Sequence, residues 1–502
     1  MTRLDMTDSP LSPDDVAAIA RTGATLVLSD AARGRIQAAH AVVEDYAARQ
    51  LPVYGLTTAL GANADTRLDA EEQAAFQRRV ADGRSVGVGP LLPRETVRAM
   101  MAARISGMIA GGSGVSWPAC AALLDALNAG IHPAVPALGS IGAGDLAQLA
   151  HLARGLMGYG MVERDGELLP ADQALRAAGL DPLPLAARDG HALVAANSYS
   201  VGLACLVLAD VERLFDWSLV ATALALEGFR ANLSILDARA LAARPAFGQI
   251  EAGARLRALL AGSALWAPGA ARRLQDPLSY RCVPQVLGAL LHAIREAREA
   301  VRIELASSGD NPVVLADDGV MLSQGNFDLT AFVLSWERLG QALTHVATGT
   351  AHRTLKMMSA AVSELPRYLT PLGPAWTGFG ALQKTIAASE ALIRHLAQPI
   401  SLGVMAVSDG IEDQASMAPA VVAKVSDGIA HLRHLVAIEL IVAAQAIELR
   451  GVADRLGGDM RAIQAVVRSQ CAPLGEDRPL GPEVSQLAEF MAAQAVPRAS
   501  GV

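Results

Sequence analysis

Lysine is almost missing from this chain: Lys356, Lys384 and Lys424 are the only three among 502 residues, so nearly all of the 42 basic residues are arginine. Against that background a lysine marks a position where arginine does not serve, with chance as the plain alternative. Cysteine is nearly as scarce. Cys120, Cys205, Cys282 and Cys471 lie far apart, without CxxC spacing or a nearby histidine. That excludes a thiolate zinc site, implies no metal, and fits reduced thiols packed in the core of a cytoplasmic protein. Positive charge is not in excess either: the net charge is -8 and the isoelectric point near 5.7. Nucleic acid and anionic membrane therefore have no electrostatic support as partners, and a small-molecule substrate is expected. The segment Met1-Thr2-Arg3-Leu4-Asp5 lacks the basic region and apolar stretch of a signal peptide. Apolar runs such as Leu435 to Val442 are interrupted by charge, whereas a bilayer span needs roughly 20 mostly apolar residues. A soluble protein with no membrane partner follows, and no repeat or low-complexity linker is present.

What is abundant is apolar residues, 52% of the chain, enough for a large buried core; length alone suggests two or three domains. After about residue 200, Ala, Leu, Glu and Arg dominate, and apolar residues recur at helical spacing, as from Leu334 to Leu355 and from Ile429 to Val452. A mostly α protein is predicted. Glycine and proline gather instead over 52–65, 83–93, 111–118, 130–145 and 307–326, marking loops on a helical scaffold, where function usually sits. Met161 to Leu169 and Pro312 to Leu322 read as short hairpins, the second turning at Asp317-Asp318-Gly319. A break near 210 divides a mixed, loop-rich N-terminal domain, 1–210, from a long-helix bundle domain, 211–502.

Six separated segments carry the chemistry. The run from Pro136 to His151 contains Gly139-Ser140-Ile141-Gly142-Ala143-Gly144-Asp145-Leu146-Ala147. Upstream stands Val53-Tyr54-Gly55-Leu56-Thr57-Thr58-Ala59-Leu60-Gly61, and downstream Leu193-Val194-Ala195-Ala196-Asn197. Gln275-Asp276-Pro277-Leu278-Ser279-Tyr280-Arg281-Cys282-Val283-Pro284-Gln285 follows, then Gly309-Asp310-Asn311-Pro312 with Gly325-Asn326-Phe327-Asp328, and lastly Ile411-Glu412-Asp413-Gln414-Ala415-Ser416-Met417. Any one of these could be a helix cap or a core polar contact. Six in order over some 360 residues resemble the histidine, phenylalanine and tyrosine ammonia-lyases. In that family the signature reads Gly-Ser-Val-Gly-Ala-Ser-Gly-Asp-Leu-Ala-Pro-Leu, and its Ala-Ser-Gly cyclises and dehydrates to a methylidene-imidazolone, the electrophile that activates the substrate amine. Here Ala143 is followed directly by Gly144, so there is no hydroxyl to eliminate, and no cofactor is expected. Ala499-Ser500-Gly501 spells the tripeptide, but at a chain end, where nothing would compress it.

The resemblance implies an ammonia-lyase-like fold with a central helical bundle of the fumarase and aspartase type, and a homotetramer whose active sites each draw on three subunits. It also implies roles. Tyr54 is the base for the β-proton, which requires nearby positive charge or donors to its phenolate. Asn197 contacts the region of the substrate amine, and Arg281 forks onto its carboxylate. Phe327 faces the substrate, Glu412 lies near an imidazole ring, and Arg84 stands where histidine-type lyases carry a ring-contacting histidine. Asp413 is more structural. The degenerate signature loop is Ala143, Gly144 and Asp145. The family tyrosine that helps form and use the prosthetic group has become Leu278, while Tyr280 has appeared two places later; Asp328 replaces a usual histidine or glutamine.

Without the electrophile, the difficulty is that a substrate ammonium N–H, with a pKa of about 8, is far more acidic than the β C–H. A trimethylammonium group has no N–H to lose and departs as neutral trimethylamine. The expected reaction is therefore a 1,2-elimination on an aromatic amino-acid betaine, hercynine or its 2-thio derivative ergothioneine, as in the ergothionase branch of the family. Phe327 or Tyr280 would face the cation, Asp328 would offset its charge, and Glu412 with Lys384 or Arg84 would polarise the ring. Lys384 sits in an apolar helical stretch; the competing reading is a lysine reaching the surface. Ammonia release from histidine and binding without turnover are the alternative functions.

Overall fold

The computed structural model describes residues 3–6 and 10–497, the first four by backbone alone. Ala499-Ser500-Gly501 lies outside the described residues. The chain is mostly helical, with four helices of 23 to 33 residues: Ser198–Phe229, Val283–Leu305, Thr330–Met357 and Ala418–Arg450. The last stops short of the expected Val452 because Gly451 turns left-handed, φ 64°, the residue type and conformation that commonly end a helix. Strands are few and short. The two expected hairpins form as Met161–Arg164 with Glu167–Pro170 and Val313–Leu315 with Val320–Leu322.

Two compact units divide the chain. One comprises 1–209, 297–335 and 399–423, the other 210–296, 336–398 and 424–502. This departs from the expected contiguous split, because two later loop-bearing segments belong with the first unit. Buried polar contacts within that unit explain why. Arg104 forms an ion pair with Asp310 at 2.7 Å, both side chains almost fully buried, and the Ser416 hydroxyl donates to the Gly142 carbonyl at 2.7 Å. A buried ion pair strands a charge if either partner leaves.

The second unit is organised around a buried ion pair of Arg353 with Glu439 at 2.6 Å, Arg353 also donating to Thr222 and Thr350. Tyr280 belongs to this interior. Its ring stacks on Phe229 with centroids 4.0 Å apart, its hydroxyl donates to the Arg353 carbonyl at 3.0 Å, and it is fully buried. The expectation that Tyr280 faces a ligand is thereby corrected: its apolar ring and its polar tip both have partners in the core. By length and composition, 189–229 is apolar enough to cross a bilayer, contrary to the expectation that no run would be; 83% of its apolar window is buried inside the protein.

Candidate active site

The first unit encloses a cavity of about 340 Å³ onto which Tyr54, Arg84, Ala143, Gly144, His191, Phe327 and Glu412 converge from separate segments. Each is placed by local sequence. The Tyr54 loop is a tight knot: the amides of Leu56, Thr57 and Thr58 all turn back to the Val53 carbonyl, and the Thr57 hydroxyl accepts from the Val53 amide at 2.8 Å. The Gly61 amide donates to the Tyr54 phenolic oxygen at 2.9 Å. Arg84 ends the helix Ala70–Arg84, which starts in a capping box of Asp69 with Glu72. A cation in the last turn is favoured by the helix dipole. Burial pulls the Arg84 guanidinium below its ordinary range, while Tyr54 and Glu412 pull it back up, so these three groups share one electrostatic field. Glu412 is half-buried and fixed by a backbone bridge with Val407.

The signature loop is compressed. At Gly142, φ 76°, a β-carbon would lie 2.7 Å from the Ala418 amide nitrogen and against the Ser416 hydroxyl; at Gly139, φ 142°, it would lie 2.8 Å from the Ala147 side chain. Only glycine fits either place. Asp145 anchors the loop from beneath. Its buried carboxylate accepts from the Ser140 hydroxyl at 2.8 Å, the Ser200 amide at 2.8 Å and the Ser200 hydroxyl at 3.1 Å. Burial nevertheless raises it to about 6. Asn197 ties the loop to the opposite wall: its side-chain oxygen accepts from the Gly144 amide at 3.0 Å, and its amide donates to the Phe327 carbonyl at 2.8 Å. The family's electrophile needs a serine hydroxyl between alanine and glycine. None stands between Ala143 and Gly144, and the nearby Ser140 hydroxyl is already held by Asp145 and the Gly142 amide. The residues present do not fit that group.

His191 was not legible as a site residue. Its ring meets Tyr54 edge-on, centroids 5.8 Å apart at 76°, and its Nδ1 is buried without a partner. Burial holds it neutral well below the usual histidine range, and the positive charges of Arg188, Arg84 and Arg104 push the same way. The only signal in the sequence is a lone histidine inside the apolar run Gly190 to Val194.

Other expected residues fall elsewhere. Asp328 is exposed and caps the helix Thr330–Met357, accepting from the Thr330 amide at 2.9 Å. That is a cap's work, and Asp328 does not line the cavity, which corrects its expected place beside the substrate cation. Arg281 and Lys384 are exposed on the second unit, on helices Leu278–Arg281 and Leu382–Leu396. Among the described residues no three His, Cys, Asp or Glu side chains converge as a metal site.

The aromatic amino acid lyase family profile matches residues 11–469. The chain belongs to the aromatic amino acid lyases. Within that family it is 36% identical over 482 residues to the histidine ammonia-lyase of Symbiobacterium thermophilum, covering 96% of this chain and 95% of that one. It is 34% identical over 501 residues to the histidine ammonia-lyase of Salmonella arizonae, 99% of each chain. Among solved structures, this lyase superposes on the ergothioneine-degrading enzyme ergothionase from Treponema denticola, in complex with desmethyl-ergothioneine sulfonic acid, with a TM-score of 0.93. The identity there is 32%, over 98% of this chain and 99% of that one. The histidine ammonia-lyase of Trypanosoma cruzi matches with a TM-score of 0.90 and 28% identity, over 98% and 94%. The mostly helical architecture is thus the ammonia-lyase fold.

Proposed function

We propose that this lyase eliminates trimethylamine from an aromatic amino-acid betaine, ergothioneine or hercynine, leaving a urocanate-type acrylate, and does so without a methylidene-imidazolone group. One observation carries the reading: the Tyr54 phenol, which accepts from the Gly61 amide, shares its cavity with a signature loop, Ala143-Gly144, that has no hydroxyl to eliminate. A primary ammonium would need an electrophile; a quaternary one leaves unaided.

Tyr54 takes the β-proton, with the Gly61 amide donating to its oxygen and the Arg84 guanidinium in the same electrostatic field. The electrons of the broken C–H bond become the new C=C, and the Cα–N pair departs with neutral trimethylamine. Phe327, oriented through its backbone by Asn197, offers its ring to the trimethylammonium cation. Glu412 and Arg84 bracket the azole ring, and neutral His191 walls the base in. The reading includes a homotetramer in the cytoplasm, in which neighbouring subunits supply Arg281 for the carboxylate and Lys384 for the ring. Two observations support the assembly. Arg281 and Lys384 are exposed in the single chain, and large apolar residues lie open on the segments beside Arg84 and the signature loop, Val86 at 64%, Val88 at 62% and Leu138 at 61%. Exposed apolar patches of this kind mark interaction surfaces. The ergothionase of Treponema denticola, described as ergothioneine-degrading, supports the substrate class.

Two readouts on one preparation test the absence of the electrophile. The peptide spanning 136–154 should have the mass of its encoded residues, and turnover of ergothioneine should survive pretreatment with borohydride, which reduces a methylidene. A peptide lighter by two water molecules, or activity lost to borohydride, would overturn the proposal.

A further inference from the structure

A second cavity, of about 390 Å³, lies wholly within the second unit, where the helices Ser198–Phe229 and Ala418–Arg450 end. Arg230, Arg450 and Arg455 line it. Arg230 donates Nε and Nη2 to the Ala270 carbonyl at 3.1 and 2.8 Å. Arg450 donates Nε to the Gly228 carbonyl at 2.6 Å and Nη2 to the Ser363 carbonyl. Cations at helix C-termini neutralise unpaired carbonyls, which accounts for one side of each fork. It does not account for the surplus. A fourth guanidinium, Arg272, is almost fully buried with Nη2 lacking any partner. It reaches Glu364 at 2.8 Å through Nη1, and Glu364 also lines the cavity. Arg450 is pushed down to about 10, first by burial and then by the like charges of Arg272 and Arg230. The other acid in the lining, Glu227, is 95% buried with Oε1 unpartnered, and burial raises it to about 7. Arg230 and Glu364 both hold left-handed backbone, φ 57° and 60°, at positions following helices where glycine would be unstrained.

Three guanidiniums therefore share an open space of small-molecule size with the carboxylate of Glu364, which a fourth, Arg272, holds ionised from outside the lining, and with Glu227, whose carboxyl burial raises to about 7. We propose that this cavity binds a small organic anion bearing two or more oxyanion groups, phosphate or carboxylate, clamped by Arg230, Arg450 and Arg455, with Glu227 meeting a hydroxyl or N–H at the ligand's other end. Planar guanidinium forks match both oxyanions, and the charged lining disfavours an apolar ligand. This site is independent of the betaine reading.

The test is calorimetric titration of the purified full-length protein at low salt with pyrophosphate and, separately, with citrate, repeated on Arg455→Gln and Arg230→Gln, with the melting temperature of each unliganded variant measured alongside. Arg455 is exposed, so its substitution leaves the fold intact even if that of Arg230 does not. Saturable binding of at least one anion is expected, weakened on the order of ten- to hundredfold in Arg455→Gln, the size of one lost charge-assisted contact. The tighter of the two anions names the ligand class as phosphate ester or polycarboxylate. Absence of saturable binding to either, or binding that Arg455→Gln leaves within twofold of the unsubstituted protein, overturns the proposal.

Discussion

Replacing Tyr54 by phenylalanine separates the chemical role of one oxygen from its structural role, because the two have different magnitudes. In the fold, the phenolic oxygen accepts one hydrogen bond, from the Gly61 amide at 2.9 Å, at a half-buried site. Its loss strands that amide at a cost of about 1 kcal/mol. With 502 residues and roughly 2 cal/mol/K of unfolding entropy per residue, 1 kcal/mol moves the melting temperature by only about 1 °C. The edge-on contact with His191 needs only the ring, and phenylalanine keeps it. In the chemistry, removal of a general base is worth about 10²- to 10⁴-fold, or roughly 3 to 5.5 kcal/mol of barrier. The assay is steady-state growth of acrylate absorbance from ergothioneine or hercynine, beside a thermal melt of the same preparation. The expected result is a fall in kcat of at least about a hundredfold with the melt nearly unchanged. Turnover within threefold of the unsubstituted enzyme would refute Tyr54 as the base; a melt lowered by ten degrees would show that the oxygen holds the loop and not the proton.

Arg84→Gln removes the cation that faces both Tyr54 and Glu412, so kcat/KM should fall about tenfold or more, the scale of one charge-assisted contact, with the pH–rate profile displaced to higher pH; an unchanged profile would remove Arg84 from the site. Gly55→Ala would push a β-carbon to 2.7 Å from His191 Nδ1 and 2.8 Å from Leu60 at φ 72°, and should destabilise the protein by about 1–3 kcal/mol while lowering turnover; a melt and rate matching the unsubstituted protein would show the loop to be slack. Asp145, fully buried, is raised to about 6 from 3.8. The stability it contributes is therefore full below about pH 4 and is lost as pH rises through 6, on the order of 3 kcal/mol. Denaturant titrations of the unsubstituted protein and Asp145→Asn between pH 4 and 7.5 should show a falling difference in their stabilities, and a constant difference would contradict the burial argument.

The cavity residues that the sequence revealed are those whose neighbours along the chain constrain them. Tyr54 sits in a knot closed within eight residues, Glu412 in a bridge to Val407, and the signature loop in a run of glycines that tolerates no side chain. His191 was missed because its significance is purely tertiary: it meets Tyr54 across 137 positions of chain, and nothing beside it in sequence marks it. Asp328 and Tyr280 misled for the opposite reason. Each sits inside a family motif, yet a local demand outweighs it, a helix N-terminus in one case and a stacked partner, Phe229, in the other. The long helices followed from apolar periodicity, whereas the return of 297–335 and 399–423 to the first unit depends on contacts such as Arg104 with Asp310, which no periodicity encodes.

The identity of the leaving amine separates elimination from a betaine from ordinary ammonia release. Purified protein should be incubated separately with ergothioneine, hercynine and histidine, and the released amine identified by mass while the conjugated acrylate is followed by absorbance. Trimethylamine and an acrylate are expected in equal amounts from at least one betaine, with histidine inert. Ammonia from histidine, with both betaines untouched, would contradict elimination from a betaine.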